Sequence, residues 1–151
     1  MKKNLVFDIF FFLSLFFLDR LTKYLSLKFL EQRTKDLGVF TLRLVRNTGG
    51  VFGIGKGLSS LWIIISIIIF FVFLYWYFRE INFLSKVHRL GYIFILEGAF
   101  SNILDRFFYG YVIDFIDFKV WPVFNLSDTF ITLGILIFIF RFWSERGNKN
   151  R

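Results

Sequence analysis

The chain has 151 residues; 56% are hydrophobic, 25 are Phe, and the formal net charge is +8. The mean hydropathy is +0.62. A water-soluble domain of this length lacks the interior to hide so much apolar surface, so the composition predicts one small integral membrane domain over 1–151. The chain has no Cys, which excludes a disulfide framework, a thiol nucleophile and a thiolate metal site. The positive charge reads as basic flanks against anionic headgroups, and no nucleic-acid partner is expected.

Four apolar segments are predicted as spans. The first covers about 5–30. Lys2 and Lys3 precede it in the manner of a signal peptide. No small-x-small cleavage site follows, however, and charges come directly after Leu18, so it is read as an uncleaved span. The connection 31–57 is rich in Arg and Lys. Its VFTLRLV alternates as a strand does and NTGG reads as a turn, which predicts a small extracytoplasmic sheet near 36–55. The second span, 58–78, is uncharged between Lys56 and Arg79. The third, about 90–108, contains Glu97, and His88 is placed in the basic loop before it. The fourth, 120–140, contains Asp128, with Pro122 expected in its first turn. The predicted fold is an all-α polytopic membrane protein of four transmembrane helices. Four spans put both termini on one side, and the Lys and Arg of the termini and of the 79–89 loop make that side cytoplasmic.

Depth singles out certain acids. At about 1.5 Å of rise per residue, Asp19 lies roughly 21 Å from the inner face and Asp128 about 12 Å from the outer one. Both fall in the outer third of the membrane. Asp114 follows Gly110, so its segment YVIDFIDF is read as extended or turning. Thirteen residues separate Asp114 from Asp128, and such a short link makes the outer ends of two antiparallel spans neighbours. Unpaired acids facing lipid are costly. Two acids facing each other can share one proton, as an aspartic protease requires.

The residues around this pair carry a resemblance. In chain order they are DRLTKYL (19–25), VRNTGGVFG (45–53), EGAFSNILDRFFYGYVIDFIDF (97–118) and WPVFNLSDTFITLG (121–134). Together they resemble the lipoprotein signal peptidases, the type II signal peptidases of bacteria, over nearly the whole chain. The resemblance implies an intramembrane aspartic endopeptidase that cuts prolipoproteins just before a diacylglyceryl-modified cysteine. It implies catalysis by Asp114 and Asp128. It assigns site support or substrate binding to Asp19 and Lys23 (D-x-x-T-K), Asn47 and Gly49 (N-x-G), Asn102, Asp105 and Arg106 (N-x-x-D-R), and Asn125 (F-N-x-x-D). No metal or cofactor is expected. The expected partners are prolipoprotein signal peptides and membrane lipids, for a monomer in the bacterial inner membrane with its site toward the outer leaflet. Asp19 and Lys23, at i,i+4, can pair on one helix face. Asp117 is expected to point away from Asp114.

The chain departs from the family pattern at Glu97 and Ser101, where glycines are usual, at Gly50 and Val51, and at Ser127. Two rival readings remain. One is a metal-dependent lipid headgroup transferase using Asp114, Asp117 and Asp128; the other is a non-enzymatic transporter or channel subunit.

Overall fold

The computed structural model describes residues 2–50, 55 and 57–149, with side chains described between 5 and 143. It is mostly helical. Helix α1 is Lys2–Phe29, strand β1 Lys35–Asp36, strand β2 Thr41–Asn47, helix α2 Ser59–Glu80, helix α3 Lys86–Tyr109, strand β3 Val112–Asp117 and helix α4 Leu126–Lys149. Two of the helices, α2 and residues 126–143 of α4, are long and apolar enough to cross a membrane by length and composition.

The side chains are distributed inside out. Among the largest fully buried side chains are Lys23, Glu97, Asn125, Asp19, Asp105 and Asp114, while Phe10 is 70% exposed and Phe71 60%. Such a surface is stable against hydrocarbon, and such an interior is stable only when its polar groups satisfy one another. A smaller apolar cluster of Tyr77, Tyr92 and Leu96 packs with Phe12, Phe73 and Phe138 toward the other end of the bundle.

Local signals set the element ends. Ser85 caps α3, its hydroxyl accepting from the His88 N–H at 3.4 Å. The helix therefore begins at Lys86 rather than near 90, and His88 lies in its first turn, not in a loop. Gly110 ends α3 at φ +77°, donating its N–H to the Arg106 carbonyl.

The expected strand is present at 41–47, but the sheet is not confined to the segment after α1. Its order is β1-β2-β3, antiparallel throughout, with Val45 opposite Asp114 and Asn47 opposite Val112. A register irregularity lies between Leu42 and Val45. Residues 51–54 of the predicted sheet region lie outside the described residues.

The fourth helix also starts later than predicted, at Leu126 rather than 120. Phe124 bridges to Ile116 in β3, which holds 118–125 as a link, so Pro122 precedes the helix instead of sitting in its first turn. Gly91, Gly98 and Gly134 let α3 and α4 approach closely. A Cβ on Gly98 would run into the Ser127 carbonyl and come within 2.7 Å of Ile131 Cγ1. Gly98→Ala is therefore expected to cost about 1–3 kcal/mol through overpacking, read as a lower unfolding temperature in detergent. An unchanged temperature would mean that the helices separate freely.

Candidate active site

Three structural elements carry the core of the site, joined by β2 and α1. β3 carries Asp114, α3 carries Asn102 and Asp105, and the start of α4 carries Asn125 and Asp128. Asn125 caps α4. Its Oδ1 accepts from the Asp128 N–H at 2.9 Å, and its own N–H donates to Asp128 Oδ2 at 3.3 Å. This reciprocal pair is a capping box written with Asn and Asp, and it fixes Asp128 at the positive end of the helix dipole.

The same Asn125 amide donates to Asp114 Oδ1 at 2.8 Å and to Asn102 Oδ1 at 3.2 Å. Asp114, 1% exposed, also accepts from Asn47 Nδ2 at 2.9 Å. Asn102 Nδ2 donates to Asp128 Oδ1 at 2.9 Å. The two carboxyls thus flank Asn125, Asp114 at its side-chain NH₂ and Asp128 at its backbone N–H, each accepting from two donors. Asp114 sits on a strand outside the helices. Burial, and after it the charge of Asp128, push its carboxyl above the ordinary range, against the downward pull of the Asn47 and Asn125 amides.

Behind this pair lies a buried ionic network. Lys23 Nζ, on α1, meets Asp105 Oδ2 at 2.8 Å, Asp19 Oδ2 at 3.1 Å, Asn102 Oδ1 at 3.0 Å and Ser127 Oγ at 3.2 Å. Arg20 pairs with Asp105 at 2.7 Å and Asp19 at 3.1 Å. Asp19 further accepts from Ser101 Oγ at 2.5 Å and from the Ser127 N–H at 3.0 Å, and Asp105 accepts from the Ile113 N–H at 3.2 Å. Two anions and two cations therefore close on themselves, as a buried ionic group must. The Lys23 contact also settles the Asn102 amide: its oxygen faces the ammonium, so its NH₂ faces Asp128. Arg106 does not pair with Asp105. It donates to the Gly49 carbonyl at 3.1 Å and so holds the turn after β2; within that turn the Gly49 N–H donates to Asn47 Oδ1 at 3.0 Å.

A family description, signal peptidase (SPase) II, matches residues 11–144. The lipoprotein signal peptidase of Caldicellulosiruptor bescii is 40% identical over 139 residues, 91% of each chain. That of Gloeothece citriformis is 38% identical, over 100% of this chain and 97% of its own. This chain belongs to the signal peptidase II family. A bacterial membrane enzyme solved by the in meso method at 2.3 Å resolution superposes with a TM-score of 0.85 at 26% identity, over 94% of this chain and 90% of that one.

Each position that the sequence assigned to the signal peptidase II motifs lies in this one cluster, whose two carboxyls stand between β3 and α4. Three further contributors were missed. Arg20 lies inside DRLTK and clamps both buried acids. Ser101 and Ser127, read only as substitutions for small residues, join the network through their hydroxyls, Ser101 donating to Asp19 and Ser127 accepting from Lys23. Their signal was the polarity of a hydroxyl and a guanidinium in otherwise apolar spans.

Asp117 lies off the cluster. It pairs with Arg43 at 2.5 Å and accepts from the Lys119 N–H at 2.7 Å. The Arg43 hydrogen bond, followed by that of Lys119, holds its carboxyl below the ordinary range. Glu97, the departure from the family's glycine, faces the bundle fully buried. Neither of its carboxyl oxygens meets a hydrogen-bond donor among the described residues.

Proposed function

We propose that this chain is an intramembrane aspartic endopeptidase that removes signal peptides from prolipoproteins, cutting before the diacylglyceryl-modified cysteine, with Asp114 and Asp128 as the catalytic pair. The observation that carries the reading is Asn125, whose side-chain NH₂ donates to the Asp114 carboxyl, whose backbone N–H donates to the Asp128 carboxyl, and whose side-chain oxygen caps the helix bearing Asp128. The helix dipole favours the charge on Asp128, and the buried strand position favours the proton on Asp114.

In this mechanism Asp128 takes a proton from water while the Asp114 O–H donates to the scissile carbonyl. The hydroxide oxygen bonds to the carbonyl carbon. The proton on Asp128 then passes to the leaving nitrogen as the C–N bond breaks, and one hydroxyl of the tetrahedral intermediate returns its proton to the pair as the carbonyl reforms, so one proton is in place for the next cycle. Asn102 and Asn125 hold the carboxyls, and Lys23 holds Asn102. The reading carries with it four spans, cytoplasmic termini and a site open to the outer leaflet, where a lipid-linked substrate arrives by lateral diffusion.

The test is a gel-shift cleavage assay in detergent on a purified prolipoprotein, with and without its diacylglyceryl group and with and without EDTA. Cleavage of the lipidated form alone, at the bond before the modified cysteine and unchanged by EDTA, is the expected result. Equal cleavage of the unlipidated form would sink the substrate assignment. Loss of cleavage in EDTA would sink the aspartic mechanism and favour the metal-dependent rival.

A further inference from the structure

At the end of the bundle opposite the site, α1, α2 and α3 are clamped by Asp8, Tyr77 and Arg89, which are 5%, 4% and 7% exposed. Tyr77 Oη donates to Asp8 Oδ2. Arg89 donates to the same oxygen from Nε at 3.0 Å and also from Nη2. The bonds converge on one oxygen, and among the described residues none reaches Asp8 Oδ1. Beside them a cleft of about 340 Å³ opens between α1 and α3, lined by Phe7, Asp8, Lys86, Arg89 and Leu90. That volume is within the range of small-ligand sites, roughly 300–1,000 Å³.

The cleft is lined by the Asp8 carboxylate, whose Oδ1 accepts no hydrogen bond from the described residues, by the Arg89 guanidinium and by the Lys86 ammonium, above apolar walls. An anion alone would find Asp8 beside it, and an amine alone would find two cations. The arrangement complements a ligand that carries both charges close together on an acyl chain.

We infer that this cleft binds the headgroup of a zwitterionic aminophospholipid of the cytoplasmic leaflet. Its phosphodiester lies on Lys86 and Arg89, its primary ammonium donates to Asp8 Oδ1, and its acyl chain lies against Phe7 and Leu90. The inference rests on the reading that the inner ends of α1 and α3 reach the cytoplasmic leaflet. It does not rest on the catalytic assignment: Asp8 lies eleven residues before Asp19, about 16 Å along the helix. A charge-assisted hydrogen bond contributes about 1.5–3 kcal/mol, so a headgroup with N–H donors should out-bind one without them by about tenfold or more.

The experiment is native mass spectrometry of the full-length protein, titrated with dioleoyl lipids bearing ethanolamine, N-methyl-, N,N-dimethylethanolamine, choline or glycerol headgroups. Occupancy is expected to be highest for ethanolamine and to fall on successive methylation, reaching about a tenth with choline, where no N–H remains. Lys86 is exposed, so Lys86→Gln is expected to keep the unfolding temperature while lowering ethanolamine-lipid occupancy severalfold. Equal occupancy by ethanolamine and choline lipids would overturn the inference, as would stronger binding of the glycerol lipid, which would mark a plain cationic patch. Retained binding in Lys86→Gln would overturn it as well. Cleavage of the lipidated precursor, measured on the same samples, separates failure of this inference from failure of the proposed function.

Discussion

Asp114→Asn and Asp128→Asn are each expected to lower cleavage of the lipidated precursor by about 10²–10⁴-fold, the range for loss of a positioned acid or base. Asn keeps the shape and an acceptor oxygen. One of the two donors facing residue 114 (Asn47, Asn125), and one of the two facing residue 128 (Asn102, Asn125), therefore keeps a partner, while the other meets the new NH₂. Circular dichroism and the unfolding temperature should show both variants folded. Normal cleavage by either folded variant would remove the pair from the mechanism.

The same pair makes a pH prediction. Burial and the neighbouring Asp128 charge raise the Asp114 carboxyl above its ordinary 3.8, so Asp114 is the acid at neutral pH. Activity is expected to disappear as pH rises through that raised value and the proton leaves. It should also fall at the acid end of the profile, once both carboxyls are protonated and no base remains. A folded-state value above the unfolded one means that the folded chain binds this proton more tightly. Its contribution to stability is fully present below the unfolded value and is lost as pH rises through the folded one. A cleavage rate that climbs steadily into alkali would contradict the assignment.

Lys23→Met is the second change with a large expected effect. Lys23 is 1% exposed, and its ammonium lies between the carboxylates of Asp19 and Asp105. Removing it leaves two buried anions with Arg20 as their one shared cation. Breaking a buried ionic group in this way costs about 3–5 kcal/mol, which should appear as a large drop in unfolding temperature in detergent. It also removes one of the two donors to Asn102 Oδ1, leaving only Asn125 Nδ2 at 3.2 Å, so the amide facing Asp128 is held less firmly and cleavage falls with stability. Adding Asp19→Asn to Lys23→Met removes one of the stranded charges and should restore part of the stability, which a double-mutant cycle measures directly. A Lys23→Met protein as stable as the wild type would show that the ammonium is not the hub of the network.

Much of this was legible in the chain. The apolar runs located the helices because a hydrocarbon-facing helix must be apolar over a fixed length. The alternation of VFTLRLV gave β2 because a strand half-buried on one face shows period 2. The Asp19–Lys23 pair was readable because four residues of helix place two side chains side by side. The proximity of Asp114 and Asp128 followed from their short link. These are local geometries, fixed within one or two elements.

The misread boundaries have a common cause. Apolar character runs from 120 into α4, so hydropathy placed the helix start too early. The start is set by the Asn125 cap and the Phe124 bridge to Ile116. In the same way hydropathy began the third span near 90, although Ser85 starts the helix five residues earlier.

The sequence by itself determined which segments are apolar and where strands and turns can form. The partners of the buried acids were decided by the tertiary structure alone. Lys23 reaching Asp105 and Ser127, Asn125 joining Asp114 to Asn102, and Arg20 clamping two carboxylates all depend on how α1, α3 and α4 are rotated about their axes. For α3 and α4 that rotation is set where Gly91, Gly98 and Gly134 allow backbones to meet, a property of two surfaces in contact that no single helix carries in its own residues.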